Sequence, residues 1–219
     1  YHALVADWLI QHHSSGDSAI TGLIAEHLEQ AERVKQALLY LRKAGEQAAA
    51  QYANLEAIGY LTRAIHLTPQ ADTTTRLELL LLRESIYALQ ADRLAQEKDL
   101  VEMQYLADIL KDDCRTAEVL LRRARHAQQT SNYATAITWA RQAARLAQSC
   151  SSSQIRAAAH LEQGRALYRK ADYAEAATQL EQALLLAADQ PPVAAEILQT
   201  LVTVHLHQGK QVASQRYLE

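Results

Sequence analysis

Asn132-Tyr133-Ala134-Thr135-Ala136-Ile137 and Asp172-Tyr173-Ala174-Glu175-Ala176-Ala177 are two copies of one motif in a chain of 219 residues. In each copy another alanine, Ala143 or Ala183, follows seven residues past the second anchor alanine. The motif returns about every 39 residues. Self-similarity at this period means supersecondary units added in a row, because each unit buries its apolar face only against a neighbour. Such an array is a scaffold rather than a globule closed around one pocket.

Composition agrees with a helical array. Ala, Leu, Gln, Glu and Arg dominate, and all are good helix formers. The 6 Gly and 3 Pro are too few for a sheet protein with many tight turns. Phe is absent and Tyr occurs 10 times, so Leu, Ala and Tyr are expected to fill the helix interfaces.

Net charge is −3, with a pI near 6.3, which points to neither nucleic acid nor membrane. Its distribution is uneven. Residues 115–170 hold ten Lys and Arg against two acids, whereas residues 1–111 hold ten against fifteen. A basic surface for an anionic partner and ordinary solvated helix faces both produce this pattern. Cys114 and Cys150 show no CxxC spacing and no disulfide framework, which fits a reducing cytoplasm. No apolar run reaches the roughly 18 residues of a membrane span, and no signal peptide is visible. A cytoplasmic protein is expected. The first and last residues, Tyr1 and Glu219, both fall inside helical patterns, so the chain reads as a piece of a longer protein.

Periodicity and turn chemistry predict helices over 2–13, 18–30, 33–51, 54–68, 74–91, 94–111, 115–130, 133–148, 153–170, 173–188, 192–208 and 211–219. Asp17 is a candidate N-cap after Ser14-Ser15-Gly16. Pro69 closes one helix, and Asp72-Thr73-Thr74 opens the next. Pro191 and Pro192 suit a first helical turn, where a missing N–H costs nothing.

The motif resembles the tetratricopeptide repeat, a helix–turn–helix with small residues at repeat positions 8, 20 and 27. With Ala176 at position 20, Gly164 falls at 8, Leu167 at 11, Tyr173 at 17, Leu180 at 24 and Ala183 at 27. The preceding unit supplies Ala124, Ala127, Tyr133, Ala136, Ala140 and Ala143. An earlier one supplies Gly45, Ala48, Ala57, Leu61, Ala64 and then Pro69. Between them lies a degenerate unit, Leu77 to Asp113, whose position 20 is Gln96, against the small-residue rule. Unit starts near 38, 77, 117, 157 and 195 give periods longer than the 34 residues of the standard repeat. The resemblance implies an all-α fold, a right-handed superhelix of antiparallel helical hairpins (a TPR-like α-solenoid). Its repeats span 38–219, the last truncated, and residues 1–37 lead into the array.

A narrower likeness lies at the N-terminal end. Tyr1-His2-Ala3-Leu4-Val5-Ala6-Asp7-Trp8-Leu9, then Leu23-Ile24-Ala25-Glu26-His27, precede Ala37 to Ala48 and Tyr52 to Ile58. This succession is similar to the repeat region that follows ATPase and winged-helix modules in STAND-type bacterial signalling proteins. These include adenylate-cyclase-associated AAA-ATPases and maltose-regulator-like transcription factors. It implies that residues 1–37 end an upstream winged-helix/ATPase module, and that His27 packs between helices. No GxxxxGK[ST] occurs in these residues, so a parent's ATPase or cyclase activity is not expected of this chain.

Local chemistry points away from catalysis. His12-His13 and His205-x-His207 have the wrong spacing for a helix-borne zinc pair, which needs i,i+3 or i,i+4. The Ser149 to Ser153 run lacks the strand–turn–helix elbow of a nucleophile. Asp112-Asp113 reads as a helix cap. Arg122-Arg123-Ala124-Arg125-His126 lacks the interleaved aromatics of a nucleic-acid surface. No cofactor, metal or catalytic residue is expected, and the chain reads as non-catalytic.

In the repeat family the first helix of each unit lines a concave groove. The resemblance places Arg122, Arg125 and Gln129 there, with Glu118, Leu121 and Gln128, then Arg165, Tyr168 and Arg169, and finally Gln199, Thr203 and His207. The degenerate unit contributes Leu81, Leu82, Ser85, Ala88 and Leu89. Guanidinium forks suit carboxylate or phosphate. An extended acidic peptide or an amphipathic helix is one expected partner, the parent's own ATPase domain another. Packing Leu and solvated Arg side chains would give the same residues without a ligand. The chaperone-tail clamp of this family needs Lys and Asn where this chain has Leu121 and Arg125, so that ligand is not expected. The reading is thus a protein-interaction or regulatory scaffold of a bacterial signal-transduction protein. The alternative is a small-molecule inducer sensor, which would require an enclosed pocket with convergent polar groups.

Overall fold

The computed structural model describes residues 1–12 and 17–209. All regular structure among them is helical: α1 His2–His12, α2 Ser18–Gln30, α3 Val34–Ala50, α4 Asn54–Leu67, α5 Thr73–Gln90, α6 Arg93–Leu110, α7 Asp113–Gln129, α8 Tyr133–Ser149, α9 Ser153–Arg169, α10 Tyr173–Leu186 and α11 Pro191–His207. Each expected helix has its counterpart, with ends agreeing to within two residues. The exceptions are His13 and the segment 211–219, which lie outside the described residues. The chain divides into two compact units, Tyr1–Leu110 and Lys111–Glu219.

The helices start where the side chains can cap them. Asp17 accepts from the Ala19 amide, Asp72 from Thr75, Asn132 from Thr135, and Asp112 from both Cys114 and Arg115. Pro191 occupies the first turn of α11. Seven of them stop in a repeated left-handed turn. Glu32, Tyr52, Ala91, Lys111, Ser131, Ser151 and Ala171 all have φ between 54° and 65°. From Lys111 to Ala171 they recur every twenty residues. In six of these turns the amide after the left-handed residue reaches back into the helix, as in Asn132 to Ala127 O (2.7 Å) and Asp172 to Leu167 O (3.0 Å). Asn132 and Ser152 then also cap the following helix. One residue closes one helix and opens the next, and this sets the long, regular period.

In the first unit α1 packs on α2, α2 on α3, α3 on α4, α4 on α5 and α5 on α6. In the second, α7 to α11 pack in the same serial way, and α7–α9 and α9–α11 also touch. The first helices of successive hairpins therefore lie side by side and form one face.

The small residues sit where hairpin helices cross. Ala57, Ala64, Ala136, Ala143, Ala176 and Ala183 are fully buried. A Cβ on Gly164 would lie 2.6 Å from Leu180 Cγ and 3.3 Å from the Ala176 carbonyl, and one on Gly45 would lie 2.8 Å from Leu61 Cγ. The α7–α8 unit carries Ala124 and Ala140, both buried, at the positions matching Gly164 and Leu180, so sizes are exchanged between facing positions. Gly59 has open space beside it. Gly164→Ala is therefore expected to cost about 1–2 kcal/mol through overpacking, despite better helix propensity. Gly59→Ala should stabilise by about 0.5–1 kcal/mol. Urea denaturation of the two variants checks both signs.

The degenerate unit keeps its crossing by another route. Gln96 and Glu84, 1% and 2% exposed, occupy the two positions where other units carry small residues. Gln96 Nε2 donates to Glu84 Oε1 (2.7 Å), and Arg93 Nη1 donates to Gln96 Oε1 (2.8 Å). Beside them Arg83 grips Asp99 with two bonds of 2.6 and 2.9 Å and donates to Thr62 Oγ1 (2.9 Å). Hydrogen bonding across the interface replaces close approach, because buried polar groups this large must find partners.

Cys114 and Cys150 are joined as a disulfide, contrary to the expectation that they stand alone. The antiparallel hairpin explains it. Cys114 begins α7 and Cys150 follows α8, so residues 36 apart in sequence have Cα atoms 5.7 Å apart. Ser149 Oγ donates to Asp113 at the same end. With both thiols consumed, the cysteines no longer argue for a reducing compartment.

Candidate functional site: the face formed by α7, α9 and α11

The three first helices of the second unit line two open grooves. Glu118, Leu121, Arg122 and Arg125 of α7, Ile155 and Ala158 of α9, and Val193 of α11 line the first, about 400 Å³ in volume. Gln128 of α7, Arg165, Tyr168 and Arg169 of α9, and Gln199 and Thr203 of α11 line the second, about 340 Å³. Leu121, Ile155, Ala158 and Val193 make an apolar patch. Helical spacing of three and four residues brings each set to one side of its helix.

A chain of charges links the helices. Arg125 Nε donates to Glu162 Oε1 at 2.9 Å, and Arg165 lies 3.5 Å from the same oxygen. Arg165 Nη2 reaches Glu196 Oε1 at 2.6 Å. Gln128 Nε2 adds bonds to Glu162 Oε2 (2.7 Å) and to its carbonyl (3.0 Å). The Glu162 side chain is only 4% exposed, so these donors offset its desolvation. Arg122 lies 3.7 Å from Glu118. Three guanidinium groups on this face thus meet three carboxylates, and the face is far less basic than its arginines alone suggest. Arg169 is exposed and has no ion-pair partner among the described residues.

Of the residues placed on this face by resemblance, Arg122 and Arg125 line the first groove, and Arg165, Tyr168 and Arg169 line the second. His207 stands beside the second, its ring 5.3 Å from Tyr168 and 5.7 Å from Tyr173. Gln129 is exposed at the end of α7, outside both. The apolar contributions of Ile155, Ala158 and Val193 were not anticipated, nor was the role of Glu162 and Glu196 as counter-charges. In the degenerate unit Leu81 is buried, while Leu89 is 78% exposed. His27 packs against His2, the two Nδ1 atoms 2.8 Å apart. Among the described residues no cluster of three metal-ligating side chains occurs, and no helix is long and apolar enough to cross a membrane.

No protein-family model matches the sequence, and no curated protein matches it. Solved structures match closely in fold. BtubC (BKLC) from P. vanneervenii is 13% identical, with a TM-score of 0.76 over 91% of this chain and 85% of that one. A Rap protein complexed with competence and sporulation factor is 13% identical, with a TM-score of 0.70 over 99% of this chain and 68% of that one. A STAND protein with a tetratricopeptide repeat sensor from Pyrococcus horikoshii is 14% identical, with a TM-score of 0.65 over 99% of this chain but 38% of that one. At these identities the likeness is one of architecture: the chain has the all-α, TPR-like fold of stacked helical hairpins.

Proposed function

We propose that this chain is a non-catalytic interaction scaffold that holds an extended protein segment along α7, α9 and α11. The observation that carries this reading is the pair of open grooves on one face, an apolar patch in the first and amides, hydroxyls and Arg169, without an ion-pair partner among the described residues, in the second. An apolar side chain would anchor at Leu121, Ile155, Ala158 and Val193. Gln128, Gln199 and Thr203 suit the peptide backbone, and Arg169 an acidic side chain. The similar Rap protein was solved with a bound factor, which supports a ligand on such helices. A small-molecule sensor is less well supported, because both grooves are open rather than enclosed.

The N-terminal motifs and the likeness to a STAND protein with a repeat sensor favour a regulatory setting of that type. Residues 1–37 would then lead from an upstream module into repeats over 38–219. A cytoplasmic location and docking on the parent's ATPase domain belong to the same proposal.

The test is to select binders from a displayed random-peptide library and measure their affinity for variants. Arg125 and Arg165 are poor targets, since their loss would strand buried Glu162. Ala158→Asp and Arg169→Ala alter the face without that effect. Ala158→Asp is expected to weaken the selected peptides at least tenfold, and Arg169→Ala about threefold. Unchanged affinity in both would refute the assignment.

A further inference from the structure

A second basic feature lies between α8, α9 and α10, separate from the face described above. It is a groove of about 270 Å³ lined by Arg141, Arg145, Arg156, His160, Gln163 and Gln179, and no carboxylate lines it. Arg141 and Arg145 are one turn apart on α8, and Arg156 and His160 one turn apart on α9. Arg141 has a loose pair with Glu175 at 3.8 Å, both side chains more than half exposed. Arg145 and Arg156 have no hydrogen bond or ion pair among the described residues. Like charges one turn apart weaken a helix slightly, so folding gives no reason for this arrangement.

The floor of the groove supplies an independent observation. Gln163 is 4% exposed and lines the groove, yet its amide has no hydrogen-bond partner among the described residues. Its amide atoms are not sealed from solvent but open into the groove, where they can bond to something that enters. His160 Nδ1 donates to Gln179 Oε1 (2.8 Å), which fixes the ring at the groove wall.

We infer that Arg141, Arg145 and Arg156, with the Gln163 amide beneath them, form a binding site for a phosphate-type oxyanion. Three guanidinium forks, met only by the loose contact of Arg141 with Glu175 among the described residues, suit a compact, multiply charged acceptor, and the amide suits its remaining oxygen. Free phosphate compounds and a phosphorylated side chain present the same chemistry. The inference does not depend on what the α7–α9–α11 face binds.

Calorimetric titration of the whole chain tests it, with inorganic pyrophosphate in one arm and a short phosphoserine peptide in the other. Ionic strength is held constant with potassium chloride. Saturable binding is expected in at least one arm, and the stronger arm identifies the source. Arg145→Gln/Arg156→Gln should weaken it at least tenfold and, since neither side chain has a hydrogen-bond or ion-pair partner among the described residues, leave the helical circular dichroism unchanged. Gln163→Leu should weaken it about threefold. Lys35→Gln/Lys98→Gln, the same charge change at exposed lysines on α3 and α6, should bind as the parent does. No saturable binding in either arm, or equal loss in both double variants, would overturn the inference.

Discussion

Asp99→Ala is expected to lower the unfolding free energy of the first unit by about 3–5 kcal/mol. Asp99 is 3% exposed and takes two hydrogen bonds from Arg83, whose side chain is 13% exposed. Removing the carboxylate leaves a desolvated guanidinium held only by Thr62 and the Tyr87 ring, 5.8 Å away. The pair itself is not a large source of stability. Burial pushes the Asp99 carboxyl above its ordinary range, and Arg83 only partly counters this. Burial also works against the Arg83 charge, but the hydrogen bond and attraction from Asp99 leave that group raised. Arg83→Met/Asp99→Leu should therefore recover most of the loss, to within about 1 kcal/mol of the parent. Since the folded carboxyl is raised above its unfolded value, its contribution is present at low pH and lost as pH rises through the folded value. The parent should gain relative to the double variant as pH falls from 7 toward 4. Urea denaturation followed by circular dichroism measures all three. A loss below 1 kcal/mol in Asp99→Ala would contradict the account of this crossing.

Reduction of the Cys114–Cys150 disulfide should cost the second unit about 3–4 kcal/mol, the loop-closure entropy expected for a bridge of 36-residue separation. The reporter is built in. Trp139 lies on α8 of the bridged hairpin beneath Arg123, 4.4 Å from the ring centroid, whereas Trp8 belongs to α1 in the other unit. In a Trp8→Phe background, urea unfolding followed by Trp139 fluorescence should shift to lower urea when a thiol reductant is added. Cys114→Ser should show the same shift and no further response to reductant. Equal midpoints with and without reductant would show that the thiols are not bridged.

The helices, their caps at Asp17 and Asp112 and the small residues at the regular crossings were legible because each has a local chemical cause. The turns were less so. Left-handed positions usually advertise themselves with glycine, yet here Glu32, Tyr52 and Ala171 fill them, each at a cost of about 1–2 kcal/mol. Gln96 reads alone as a violation, since its partner Glu84 lies on another helix. The disulfide was hidden for the same reason, as was the Arg125–Glu162–Arg165–Glu196 chain. Charge content shows in composition, but which charges cancel depends on helices stacked about forty residues apart.

Photo-crosslinking tests the binding face most directly. A benzophenone side chain can replace Gln154 or Gln199, exposed on α9 and α11, or Gln142 or Gln182, exposed on α8 and α10. With a peptide selected for binding, crosslinks are expected from 154 and 199 and not from 142 and 182. Crosslinks confined to the α8 and α10 positions would contradict the account.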